Sequence, residues 1–141
     1  MKSAGFTLIE LIIILVIIGI LAVSASPLFI SDSGTKSQTA RLQAMSILRS
    51  IQQQAMQDTV NDYSISVTES TLGNPPYNED NSLQLSNLDG ITFSPSDLTV
   101  GFNALGQPTQ GCTGGCTITI IENLGVSRTI SINKEGFIDA Q

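Results

Sequence analysis

The sequence predicts an α+β protein: a long N-terminal helix, membrane-spanning in its first half and amphipathic in its second, packed on a small antiparallel β-sheet head. Three observations carry this expectation. Phe6 through Val23 is almost uninterruptedly apolar, close to the roughly 20 residues a helix needs to cross a hydrocarbon core. Ala44, Leu48, Ile51 and Ala55 then recur at helical spacing, with Met45 and Ile47 widening the stripe, as on a helix that faces a core. After Asp58 come short alternating runs separated by turn residues, and without βαβ alternation such strands pair antiparallel with one another.

The apolar run has a direction. Lys2 precedes it and no basic residue follows until Lys36, which keeps the N-terminus in the cytoplasm and sends the remainder across. The run also holds one acid, Glu10. A carboxylate within a membrane span costs about 2–3 kcal/mol on insertion scales, so an acid there is a functional candidate. A cut between Gly5 and Phe6 would place a new α-ammonium one helical turn before Glu10, whereas the uncut chain leaves that acid without an obvious partner. The competing reading is a secretory signal peptide cleaved near Val23-Ser24-Ala25. Its apolar core would exceed the roughly 7–15 residues usual for such peptides, and the acid would go unexplained.

Gly5-Phe6-Thr7-Leu8-Ile9-Glu10, followed by this run, resembles the class III leader junction of type IV pilins and type II secretion pseudopilins. The resemblance implies cleavage after Gly5 by a prepilin peptidase, N-methylation of Phe6, and pairing of Glu10 with the terminal amine of a neighbouring subunit during assembly. It implies the type IV pilin fold and partners of matching kind: other pilin or pseudopilin subunits, the peptidase, an inner-membrane assembly platform and membrane lipid. The subunit would be a single-pass inner-membrane protein with a periplasmic head before it enters a pilus or pseudopilus filament. The chain then divides into a leader (1–5), an apolar assembly helix (6–30), an amphipathic extension (31–58) and a β-rich head (59–141). Pro27 falls where these proteins often bend, and a proline there opens the helix one turn earlier. Ser31-Asp32-Ser33-Gly34 is a second weak point.

In the head, Tyr63–Thr68 alternates cleanly, and Ile91–Phe93 and Leu98–Phe102 are expected to pair around Ser94-Pro95-Ser96-Asp97. Thr117–Ile121 and Ser127–Ile132 form a hairpin, with Ile118 and Ile120 expected on one face and Ile130 and Ile132 on another. Turn signals stand at Asn123-Leu124-Gly125 and Lys134-Glu135-Gly136, and Phe137-Ile138 opens a last short strand. Phe102-Asn103-Ala104-Leu105-Gly106-Gln107-Pro108, the Thr/Ile-rich hairpin and the helix Arg41–Ala55 resemble the GspH/FimT group of minor pilins and pseudopilins, and the related minor pilins of MSHA-type pili. One departure is that Gly136 is followed by Phe137, where that group commonly has Gly-Arg.

Cys112 and Cys116 enclose Thr113-Gly114-Gly115. In an oxidising periplasm the expected state is a disulfide, and the glycines permit so tight a ring. The sequence holds no His, so zinc is poorly served and no metal or cofactor is expected. The polar stretch Leu72–Asn87 reads as a long solvated loop. Glu79 and Asp80 offer oxygen ligands, and some pilin relatives bind calcium, but the Asp-x-Asp-x-Asp-Gly spacing is absent. The formal charge of −6 with scattered basic residues argues against nucleic acid; the alternative to a structural subunit is a surface-exposed pilus-tip module that binds DNA or another ligand. No nucleophile–base pair or phosphate loop marks an enzyme.

Overall fold

A computed structural model describes residues 7–25, 34–74, 82–86, 88–123 and 125–141. The chain divides into two compact units, Met1–Asp32 and Ser33–Gln141. The first holds helix α1, Leu8–Ala25. Among the described residues the second holds helix α2, Thr35–Gln57, and nine strands.

Helix α2 forms where the apolar stripe runs. Ala40, Ala44, Met45, Ile47, Leu48, Ile51 and Ala55 are buried, with Leu48 and Ile51 fully enclosed; full burial of such side chains stabilises by about 1.5–3 kcal/mol each. The helix starts at Gly34, whose φ of 90° suits glycine, and ends at Asp58.

The strands are β1 Tyr63–Val67, β2 Thr71–Gly73, β3 Gln84–Ser86, β4 Ile91–Ser94, β5 Leu98–Phe102, β6 Pro108–Gln110, β7 Gly115–Glu122, β8 Ser127–Asn133 and β9 Ile138–Ala140. All pair antiparallel, in two sheets ordered β3-β2-β1-β5-β6 and β4-β7-β8-β9. Both sheets pack on α2, and Ile65, Val67, Val100, Phe102, Ile118, Ile120 and Ile130 join the helix stripe in one core.

Three sequence expectations are corrected here. Strands β4 and β5 do not pair: β4 lies against β7 and β5 against β1 and β6. Ser94–Asp97 is a corner between sheets, with a cis Ser94–Pro95 bond and Asp97 at a φ of 66°. A turn signal marks a reversal but not the destination of the next strand. Ile118 stands directly opposite Ile130, and directly opposed residues share a face, so Ile118, Ile120, Ile130 and Ile132 all point into the core. The ends of the Leu72–Asn87 stretch are paired rather than loose, with Leu72 opposite Leu85 and Gly73 opposite Gln84; residues 75–81, including Glu79 and Asp80, lie outside the described residues. The short polar strands β2, β3 and β6 carry no periodic signal in the sequence, and β6 is an edge strand, where its Pro108 is tolerated.

Cys112 and Cys116 are disulfide-bonded, with their Cα atoms 5.1 Å apart. The ring sits where the chain leaves β6 of one sheet for β7 of the other, and the Cys112 side chain is wholly buried in the core. A ring this short stabilises by about 2 kcal/mol through chain entropy. A Cys112→Ala/Cys116→Ala variant is therefore expected to lose about that much in urea unfolding, and reductant should then shift only the wild-type curve.

Among the described residues, three hairpins close on the same kind of turn: 103–107, 122–126, where position 124 lies outside the described residues, and 133–137. In each, the glycine N–H donates to the first residue's carbonyl and the first residue's N–H to the fifth's. The glycines have φ of 77°, 83° and 89°, as a three-residue hairpin loop with a glycine bulge requires. Asn103 Oδ1 accepts from the N–H of Leu105 and Gln107, and Asn133 Oδ1 repeats the pattern with Glu135 and Phe137. The first and third turns meet at α2, where Gln52 Nε2 donates to Gly106 O and Gly136 O, each at 2.7 Å. Both amide hydrogens are thus used, and one helix side chain ties the closing hairpins of both sheets together. Nearby, Arg49 donates to Ile138 O at 3.2 Å and Arg41 to Gln141 O at 3.0 Å. This polar side of α2 forms a seam with β9 and the residue that follows it.

At the other end of α2, Asp58 closes the path into β1. It accepts from Val60 N–H, Asn61 Nδ2 and the Tyr63 hydroxyl at 2.9, 2.7 and 2.9 Å. These donors, Asn61 first, hold its carboxyl down at about 2, and the same hydrogen bond to Asp58 raises Tyr63. A depressed carboxyl contributes stability above its unfolded value near 3.8 and loses it as pH falls toward about 2. The melting-temperature gap between wild type and Asp58→Asn is therefore expected to be full at pH 6 and to shrink between about pH 4 and pH 2.

Candidate assembly site

Unit one begins its helix with a reciprocal cap. Thr7 is the residue before the first helical turn, and Glu10 lies three positions on. Thr7 N–H and Thr7 Oγ1 each donate to Glu10 Oε2 at 2.9 Å, while Glu10 N–H reaches back to Thr7 Oγ1 at 3.4 Å. This is a capping box: the hydroxyl and the carboxylate satisfy amide groups that the first turn of any helix leaves open. The acid also lies in the first turn, where the helix dipole favours negative charge.

The box corrects one step of the sequence argument. An uncut chain does not leave Glu10 without a partner, because Thr7 supplies one, and the acid by itself does not require cleavage. Thr-x-x-Glu before an apolar run was a readable signal for the cap, masked by the more conspicuous oddity of an acid in such a run. Both Thr7 bonds fall on Oε2, and among the described residues no hydrogen bond reaches Oε1.

Beyond the cap α1 is apolar all round. From Leu8 to Leu21 its large side chains are 43–76% exposed on every side, the pattern of a helix meant to be covered by lipid or by other helices. Its 18 residues span about 27 Å at 1.5 Å per residue. Among the described residues no helix is long and apolar enough to cross a membrane. Gly5, Phe6 and Pro27 lie outside the described residues.

Within the second unit, the start of α2 is held from a distance. Gly34 has no side chain to cap the helix. The carboxylate of Glu122, on β7 and nearly fully buried, accepts its N–H at 3.1 Å, and Arg128 of β8 donates to its carbonyl at 3.4 Å. Ser37, buried in the first turn, donates to the same carbonyl at 3.1 Å. A carboxylate at a helix N-terminus is electrostatically favoured, and this one comes from 88 positions away, which no local reading could find. Among the described residues no cluster of His, Cys, Asp and Glu could hold a metal ion.

Residues 1–26 match the family model of the prokaryotic N-terminal methylation motif. A sequence comparison with curated proteins gives no match. Among solved structures the chain is similar to the type IV minor pilin FimU of Pseudomonas aeruginosa strain PAO1 in two crystal forms. The TM-scores are 0.54 and 0.53 at 18% identity, covering 74% of this chain and 87% and 91% of the FimU chains. At that identity the likeness speaks for the fold, and the motif speaks for the N-terminus. The chain thus carries a prokaryotic N-terminal methylation motif and shares its fold with a type IV minor pilin.

Proposed function

We propose that this chain is a minor structural subunit of an extracytoplasmic filament, a type IV pilus or a type II secretion pseudopilus. The carrying observation is the methylation motif at residues 1–26 set directly on a capped helix with apolar side chains on every face. A prepilin peptidase cuts after Gly5, and Phe6 becomes the methylated first residue. The apolar run from Phe6 then holds the subunit in the inner membrane, where a slightly short span is accommodated by local thinning of the bilayer. The head waits on the periplasmic side, where its disulfide is stable. During assembly α1 leaves lipid for the company of other α1 helices, and Glu10 Oε1 takes the α-ammonium of a neighbour while Oε2 keeps the cap. The role is structural rather than catalytic.

Blocking the cut tests the sequence of events. Gly5→Leu should leave full-length precursor in the membrane fraction and remove the protein from sheared filaments. Processing at the normal site in this variant would contradict the reading.

A further inference from the structure

The knot at Gln52 has a reactive neighbour. Met56 lies one helical turn beyond Gln52 on α2 and is 52% exposed, whereas Met45 on the same helix is 7% exposed. Among the described residues these two thioethers are the readily oxidised sulfurs, because both cysteines are held in the disulfide. Position decides what oxidation of Met56 does to the fold. A Cβ built on Gly106 would stand 3.0 Å from Met56 Sδ and 3.3 Å from Gln52 Nε2, so the sulfur and the bridging amide flank one small space. That amide has two hydrogens, and Gly106 O and Gly136 O already engage both.

We propose that Met56 is an oxidation-sensitive modification site, and that its conversion to the sulfoxide by a peroxide loosens the Gln52 bridge between the two sheets. With hydrogen peroxide, the thioether sulfur attacks one peroxide oxygen. A sulfur–oxygen bond forms, the oxygen–oxygen bond breaks and water leaves; the sulfur gives up two electrons and the peroxide takes them. The thioether is a weak acceptor and leaves Gln52 undisturbed. The sulfoxide is polar, and beside Gln52 Nε2 its oxygen makes a third acceptor for two hydrogens. One of the three then goes without a partner, and a buried carbonyl left unpaired is destabilising. The bridge lies within one chain, so the effect belongs to the head whether or not that head stands in a filament. Sulfoxide reductases reverse the modification, which makes the change a switch rather than a lesion.

The test treats the full-length chain, purified in detergent micelles, with hydrogen peroxide and samples it over time. Trypsin cuts after Arg41 and Arg49, so Met45 and Met56 fall in different peptides and their sulfoxides are counted separately by mass spectrometry. Met56 should oxidise about tenfold or more faster than Met45, as exposure dictates. The oxidised head should melt about 4 °C or more lower, exchange its amides faster at 103–107 and 133–137, and recover on treatment with a sulfoxide reductase. Met56→Leu keeps an apolar side chain of similar volume and should give the same melt before and after peroxide. Equal oxidation of the two methionines, or complete Met56 sulfoxide with an unchanged melt, would overturn the proposal. So would a peroxide-induced fall of equal size in Met56→Leu, which would place the damage elsewhere.

Discussion

Gly136→Ala should lower the head's melting temperature by roughly 10–25 °C, whereas the matching change in the middle hairpin, Gly125→Ala, should cost only a fraction of that. Both glycines occupy the fourth place of the same turn, with φ of 89° and 83°, so both substitutions carry the left-handed penalty of about 1–2 kcal/mol. The surroundings differ. A Cβ at Gly125 meets nothing, while one at Gly136 runs into the carbonyl oxygen of Gly106 and comes within 2.7 Å of Gln52 Nε2. Backbone cannot give way as a side-chain tip can, so the collision adds about 1–3 kcal/mol and breaks the bridge between sheets. Equal losses at the two positions, read from thermal melts, would mean that backbone strain accounts for everything and the Gln52 knot for little.

The second large effect concerns Glu10. Glu10→Ala should leave processing after Gly5 intact and reduce the protein in sheared filaments tenfold or more. The estimate follows, on the proposed placement of α1 in the membrane, from the roughly 2–3 kcal/mol that an ionised side chain costs there on insertion scales, since each 1.4 kcal/mol is a factor of ten. The capping box supplies the rival explanation: the variant loses a helix cap worth about 1 kcal/mol as well. Thr7→Val separates the two, because it removes the hydroxyl side of the cap and keeps the carboxylate. Near-normal incorporation of Thr7→Val beside failure of Glu10→Ala assigns the acid to contacts between subunits. Equal defects in both, measured as the filament-to-membrane ratio, would assign it to the cap.

The fold was legible where a residue's role depends on near neighbours in sequence. Ala44, Leu48, Ile51 and Ala55 announced α2 because a helix repeats its own environment every turn, and Ile118 and Ile120 announced β7 because a strand alternates. Asn123–Gly125 and Lys134–Gly136 announced their hairpins because only glycine readily takes the fourth position. Illegible was everything set by distant partners: the separation of β4 from β5 into two sheets, Glu122 as the cap of a helix that starts at Gly34, and Gln52 as a bridge rather than a solvated side chain. At the N-terminus the sequence shows chemistry more readily than local structure: Glu10 is conspicuous as an acid among apolar residues, whereas its partner Thr7, three positions away, is an ordinary hydroxyl until the cap is seen.

Where the mature chain begins decides whether this protein is a filament subunit. Intact-mass and peptide mass spectrometry of protein purified from filaments should show Phe6 as the first residue, carrying one N-methyl group, with the Cys112–Cys116 disulfide closed. A mature chain that starts after Ala25, or retains Met1 within the filament fraction, would contradict it.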